Sequence, residues 1–299
     1  MESQIMFFAS EVSVICEVNP YRKVHDTFLE VWKRTDPSQI ASVEKQIKCE
    51  LTSHDEKIEK LIKKIDVDGK ISKLVKSAST AKTIEEVKQS VQSIEAVIPK
   101  LAVAQESVGD NSVKEMISKI DSLDIQKDIL KSVESQMNRG FGTKQEAAAI
   151  STYEKKEKTN VGSRNDKFHK RTIANVDGCA IVVGGKVDGI KEDGTVIEVK
   201  NRMRRFFDPL PKYDVAQLQT YLFILDSSKG ELVEQLKGSK TNIKSTLIER
   251  DLEMWDTLIK PSVVRFGAAL HQFMNDDDLQ HKFVLGNELE REHLVSELL

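Results

Sequence analysis

Two acids and one amine in the middle of the chain, Asp188, Glu198 and Lys200, have the types and spacing for hydrolytic chemistry on a phosphodiester. They lie in the stretch GGKVDGIKEDGTVIEVK. Its apolar runs, Lys186–Ile190 and Thr195–Lys200, are joined by the turn-forming Lys191-Glu192-Asp193-Gly194, which predicts a hairpin. Alternation along a strand puts Glu198 and Lys200 on one face and Ile197 and Val199 on the other. Pairing across the turn then brings Asp188 beside Glu198. Carboxylates so placed suit Mg²⁺, which prefers oxygen ligands and keeps several waters; Mn²⁺ can substitute. A bound cation neutralises charge growing on the phosphoryl group and acidifies a ligated water. The Val199 carbonyl can serve as a further ligand, and Lys200 can hold or activate the attacking water. Read alone, D-x9-E-x-K also fits two solvated surface strands.

Three neighbours add to the pattern. Glu146 lies in the first turns of a helix predicted over Thr143–Lys156, where it can face the sheet edge as an accessory ligand. The plainer alternative is an acid favoured there by the helix dipole. Gln217 and Tyr221, four apart on a helix predicted over Tyr213–Leu225, share a face. Gln217 can orient water or a phosphate oxygen with Tyr221 behind it; otherwise Tyr221 is core and Gln217 surface. Basic residues flank the acids on both sides: Lys155, Lys156, Lys158, Arg164, Lys167, Lys170 and Arg171 before, Arg202, Arg204 and Arg205 after. Such groups hold phosphate backbones, or simply solvate a loop. The net charge of −3 conceals this, because Lys200–Lys212 carries five basic residues against one acid while Asp276–Leu299 carries two against seven. Local fields, and not the total, attract phosphates.

The elements that must position these residues fall into four parts. Residues 1–38 read as a short helical lead-in, SEVSVICEV, the Asn19-Pro20-Tyr21 turn and an apolar segment around Phe28, Val31 and Trp32. Residues 39–138 show narrow apolar stripes of helical period: Ile58, Leu61, Ile62 and Ile65; Ile84, Val87, Val91, Ile94 and Leu101; Val113, Met116, Ile117 and Ile120. They predict an α-helical insertion, a hairpin or small bundle, serving oligomerisation or partner contact, or acting as a spacer. Residues 139–275 switch to strands at Cys179–Val183, Lys186–Ile190, Thr195–Lys200 and Thr246–Glu249, with helices over Tyr213–Leu225 and around Trp255–Met274. Residues 276–299 read as an acidic C-terminal tail.

Composition narrows the class. Cys16, Cys49 and Cys179 are odd in number and form no CxxC pair. That argues against a disulfide framework, a zinc site and an iron–sulfur cluster, and for a reducing intracellular compartment. No apolar stretch reaches the length of a membrane span, and Glu2 with no basic n-region makes a poor signal peptide.

Taken in order, Gly142-x-x-x-Glu146, Val187-Asp188-Gly189, Ile197-Glu198-Val199-Lys200 and Ala216-Gln217-Leu218-Gln219 resemble the motifs of the PD-(D/E)XK nuclease superfamily. More narrowly they resemble its lambda exonuclease and YqaJ-like viral recombinase group, alongside RecB-type nuclease domains. Ala9-Ser10-Glu11-Val12 with Asn19-Pro20-Tyr21 looks like that group's opening motif, and Ile248-Glu249-Arg250-Asp251 with Trp255 and Pro261 like its closing strand and helix. The resemblance covers about residues 6–35 and 139–274. It implies an α/β (α+β) fold with a restriction-endonuclease-like mixed central sheet flanked by helices. Metal would sit on Asp188, Glu198, the Val199 carbonyl and Glu146, with Lys200 catalytic and Gln217 or Gln219 orienting groups. Ser10, Tyr21, Arg164, Arg202, Arg204, Arg205 and Tyr221 would meet DNA. The implied activity is Mg²⁺-dependent 5′-to-3′ digestion of duplex DNA from a free end, in recombination, replication or repair. Partners would be a single-strand annealing protein and, in a toroidal trimer, further copies of the chain. A large DNA virus or phage would be the source, and host cytoplasm or nucleus the location. No Arg precedes Ser10, where the family's pocket for a terminal 5′-phosphate has one. A structure-specific or nicking endonuclease, and a silent DNA-end or partner-binding protein, are the competing readings.

Overall fold

The computed structural model of the chain describes residues 3–48, 50–66, 69–80, 86, 89, 90, 92–94, 123–202, 205–236 and 242–299. Strand β1 (Gln4–Phe8) leads into helices α1 (Ala9–Ile15), α2 (Val24–Thr35), α3 (Pro37–Ile47), α4 (His54–Ile65), α5 (Lys70–Thr80) and the long α6 (Leu123–Glu157). Then come β2 (Val161–Gly162), β3 (His169–Val176), β4 (Cys179–Gly185), β5 (Gly189–Lys191), β6 (Val196–Arg202), α7 (Lys212–Leu225), β7 (Lys229–Leu236) and β8 (Ile243–Glu249). The chain closes with α8 (Leu252–Met254), a π-helical segment (Trp255–Ile259), α9 (Lys260–Met274), α10 (Asp277–Leu285) and α11 (Glu288–Leu298).

The fold is mixed α/β. Among the described residues the strands pair in two mixed ladders, β1-β4-β3 and β2-β5-β6-β7-β8. β1 runs parallel to β4, and β6 parallel to β7; the other pairings are antiparallel. Parallel strands need a crossover, and α7 supplies it between β6 and β7.

Four strands escape the sequence reading: β1, the two-residue β2, β3 and β7. QIMFF buries Ile5 and Phe7 beside β4, so a strand precedes the helical lead-in. In β3, HKRTIANV, mostly polar residues sit at a sheet edge where a wet face is tolerated. In β7, KGELVEQL, Glu231 and Glu234 are satisfied by buried or half-buried ion pairs, which masks the apolar pattern.

The helix expected from Thr143 begins at Leu123 and passes through Gly140 and Gly142, so the division read at residue 138/139 falls inside one helix. A glycine weakens a helix by only about 1 kcal/mol. α6 is anchored on both sides of that stretch: Ile129 and Val133 are buried where it lies against α4 and α5, and Ala149, Ile150 and Tyr153 join a core with Ile197, Val199 and Val233. In α4, a Ser53–Glu56 capping box starts the helix and the stripe Ile58, Leu61, Ile62, Ile65 is buried. Ile94 is buried; Ile84, Val87, Val91, Leu101, Val113, Met116, Ile117 and Ile120 lie outside the described residues. α3, grouped with the insertion on sequence, instead puts Ile40 and Val43 into the main core.

That core is aromatic. Phe28, Trp32, Phe266, Phe273 and Phe283 meet mostly edge to face, Trp32 and Phe273 at 4.8 Å. Phe283, Val284 and Val295 come from the acidic segment, which is folded and not a loose tail. Its acids cluster in the first turns of α10 and α11, where Asp276 and Asn287 cap and the helix dipole favours negative charge. Cys16 and Cys179 are buried free thiols, and burial pushes Cys16 up to about 11; Cys49 is outside the described residues. Among the described residues no helix is long and apolar enough to cross a membrane.

Candidate active site

β6 carries the centre. β5 pairs only with Val196 and Ile197, so the β5-side edge of β6 is open beyond them. Asp188 fills that edge: its Oδ2 accepts the Val199 N–H at 2.7 Å. In extended chain the N–H and C=O of one residue face the same edge, so the Val199 carbonyl also lies on the Asp188 side. Gly189 follows because β2 closes over the turn; a Cβ there would overlap a γ-methyl of Val161.

Glu198, Lys200 and Gln217 form a closed triangle. The Lys200 ammonium donates to Glu198 Oε1 at 3.0 Å and Gln217 Oε1 at 2.8 Å, and Gln217 Nε2 donates to the same Glu198 oxygen at 2.9 Å. Asp214, in the first turn of α7, lies 3.4 Å from Lys200 Nζ. Asp214 was not singled out from the sequence, although it precedes Gln217 by three and so shares its helical face. Tyr221, one turn beyond Gln217, is buried against Gly185 and takes a hydrogen bond from Gln217. It therefore backs the site and does not reach DNA.

The third acid is Glu146 on α6. Asn165 sits between it and Asp188, its Nδ2 3.3 Å from Glu146 Oε2 and 3.4 Å from Asp188 Oδ1. Asn165 adopts left-handed backbone, φ 52°, which asparagine tolerates better than most residues. No motif or periodicity marked it; the cue was a turn-former amid Ser163-Arg164-Asn165-Asp166.

Burial dominates the electrostatics. It raises Asp188 to about 6, with the Val199 N–H opposing and Glu146 reinforcing. It raises Glu198 to about 8, beyond what Lys200 can offset, and Asp188 adds to the rise. Glu146 is raised by burial and by Glu198. Burial works against charge on Lys200, but Glu198 and Asp214 outweigh it and hold the ammonium above its ordinary range. Acids so perturbed around an oriented ammonium mark a candidate functional site.

The remaining residues expected at the site separate by placement. Gln219, two residues from Gln217, faces away: its side chain donates to the Glu249 carbonyl at 2.7 Å and accepts from the Asp251 N–H at 2.9 Å. Steps of about 100° per residue put the two glutamines on opposite sides of α7. Arg202 is buried, donating to Asp214 at 2.8 Å and Glu234 at 2.7 Å, which removes it from the expected DNA contacts. Ser10 is exposed at the start of α1, beside Ala9, which packs with Val187 and Tyr221. Tyr21 is exposed and its ring meets Tyr213. Arg164 is exposed and pairs with Glu154, and exposed Arg205 lies 5.6 Å over the Phe207 ring. Arg204 lies outside the described residues.

Arg202→Met separates the two roles open to this arginine. It leaves the fully buried Glu234 without its cation and Asp214 with Lys200 alone, and breaking such a pair costs about 3–5 kcal/mol. Thermal unfolding should show a clear fall in melting temperature, while the salt dependence of DNA binding stays as in the parent chain. A lost phosphate contact with an unchanged melting temperature would reverse the assignment.

No known protein-family model matches the chain, and no curated protein matches it. Solved structures similar to it include an alkaline exonuclease, LHK-Exo from Laribacter hongkongensis, at 16% identity and TM-score 0.39, covering 63% of this chain and 91% of that one. LHK-Exo in complex with dAMP gives 17% identity and TM-score 0.38, covering 61% and 88%. The structure of SSO0001 gives 20% and 0.34, covering 55% and 67%. At these TM-scores the superpositions carry no weight for the activity.

Proposed function

We propose that the chain is a metal-dependent deoxyribonuclease. The observation that carries this is the half-buried Glu198–Lys200–Gln217 triangle beside an Asp188 locked onto the Val199 N–H. The donor set fits Mg²⁺, or Mn²⁺ in its place. Glu198 Oε1 is taken up by Lys200 and Gln217, which leaves Oε2, and Asp188 keeps Oδ1, touched only by the long Asn165 contact. Among the described residues no three His, Cys, Asp or Glu side chains close into a ready cage. Mg²⁺ needs none: one or two carboxylates, a carbonyl and several waters are its ordinary company. Asp188, Glu198 and the Val199 carbonyl would hold it, with Glu146 as an accessory acid.

When bound, the cation supplies charge neutralisation at the phosphoryl group and a more acidic water. The chain's own groups do the rest. Lys200, permanently charged, steadies the attacking oxygen and the negative charge of the transition state. Gln217 fixes the Lys200 and Glu198 heads, and Tyr221 fixes Gln217. Exposed Arg164 and Arg205 give the approaching backbone cationic contacts, and Ser10 stands ready near a phosphate. Half-burying an ammonium among acids costs stability that a binding module would have no reason to carry. That favours catalysis over a silent DNA-end binder.

Within this reading the substrate is duplex DNA with a free end, cut 5′ to 3′ in recombination, replication or repair. A single-strand annealing protein and a ring of three copies would be its partners. Incubating linear and covalently closed circular duplex with Mg²⁺ tests it: linear DNA should be degraded, circles should survive, and a chelator should stop the reaction. Cut circles would establish the endonuclease instead. Binding of both with cleavage of neither would establish the silent binder.

A further inference from the structure

Tyr21 is 64% exposed, yet its backbone is pinned. Asn19 Oδ1 accepts the Tyr21 N–H at 3.0 Å, and Asn19 Nδ2 donates to Ser13 Oγ at 3.3 Å, tying the turn to α1. The ring meets that of Tyr213 at 5.7 Å and 80°. An edge-to-face pair leaves at least one face of Tyr21 uncovered. Tyr213 is the residue before Asp214, the acid that holds Lys200 and Arg202, and its hydroxyl feels the charges of Asp214, Arg202 and Lys200. The aromatic pair therefore stands beside the proposed reaction centre, at the start of α7. Exposed Lys212 adjoins it in the chain, and exposed Arg205 leads into the same helix.

A flat ring with an open face is what a nucleobase stacks on. Bases inside a duplex have both faces covered by their neighbours, so only an unpaired or terminal base can use it. We infer that Tyr21, braced by Tyr213, is a stacking platform for an unpaired nucleobase at the end of a DNA strand entering the Lys200 site. This rests on the nuclease reading and adds a substrate feature to it: a frayed or single-stranded end is gripped by its base as well as its phosphates.

The test uses the full chain and a duplex whose single-stranded extension carries the fluorescent base aminopurine. Binding and quenching are followed in chelator, and turnover separately in Mg²⁺. Tyr21→Phe keeps the ring and should behave as the parent. Tyr21→Ala should bind the extended duplex roughly tenfold more weakly, with the quench reduced, since stacking on one aromatic ring contributes about 1–3 kcal/mol per base. KM on that substrate should rise by a similar factor with kcat unchanged. Tyr21 is a surface residue, and an unchanged melting temperature will show that the variant folds. Parent-like binding and quenching by Tyr21→Ala would overturn the platform. If Lys200→Ala then still abolishes cleavage, the nuclease reading survives that loss. If the parent binds with a Tyr21-dependent quench but never cuts, the platform stands and the nuclease reading falls. If the parent binds no DNA, both fall.

Discussion

Lys200→Ala is expected to lower DNA hydrolysis by a factor of ~10²–10⁴ while leaving Mg²⁺ and DNA binding in place. The ammonium is held by Glu198, Gln217 and Asp214, so it is oriented before any substrate arrives. An alanine leaves buried Glu198 without its cation and Asp214 with Arg202 alone, and that cost can reach about 3–5 kcal/mol. Activity should therefore be compared below the melting temperature of the variant, with a melting curve in the same buffer. Mg²⁺ should recover part of the lost stability, because it replaces the missing positive charge. Turnover at the parent rate by a folded Lys200→Ala chain would remove Lys200 from the mechanism.

Glu198→Gln should pull stability and activity in opposite directions. Glu198 is held at about 8 against an ordinary 4.5, and Asp188 at about 6 against 3.8. Between those values the native metal-free chain retains protons that the unfolded chain has released. Stability is therefore fully present below the unfolded values and is lost as pH rises through the folded ones. One group contributes at most about 1.4 kcal/mol per pH unit within its window. A neutral Gln removes the Glu198 share. The metal-free variant should melt near the parent at pH 4.5 and above it at pH 8. His25 and His169 are lowered by burial and run the other way in both proteins, so they cancel in the comparison. In Mg²⁺ the order should invert: the parent gains a melting increment that grows with pH, the variant gains little, and its hydrolysis falls by ~10²–10⁴. A variant that is less stable than the parent in chelator at pH 8 would show that Glu198 is a structural ion-pair partner and not a strained ligand.

The centre was legible in the sequence because its rules are local. Strand alternation places Glu198 and Lys200 on one face, a short turn brings Asp188 to the edge of β6, and an i, i+4 step stacks Tyr221 behind Gln217. What was hidden depends on chain segments far apart. Arg202 looked like part of a basic surround, but two acids, Asp214 and Glu234, draw it inside from α7 and β7. Gln219 resembled Gln217 until the β8–α8 junction claimed it. Asn165 gave no periodic signal because it acts from a turn. Strands β3 and β7 are rich in polar residues whose partners lie on other elements, so no window of sequence could read them as strands. α6 was cut short because two glycines look like a stop signal when tertiary anchoring on either side is invisible.

The nuclease reading turns on one divalent cation held jointly by residues 188, 198 and 199. Anomalous diffraction from crystals of the chain soaked in Mn²⁺ measures this. The expected result is a single strong peak about 2 Å from a carboxylate oxygen of Asp188, a carboxylate oxygen of Glu198 and the Val199 carbonyl. A peak elsewhere, or none here while Asp188 stays bound to the Val199 N–H with Glu198 turned from it, would refute that cation site.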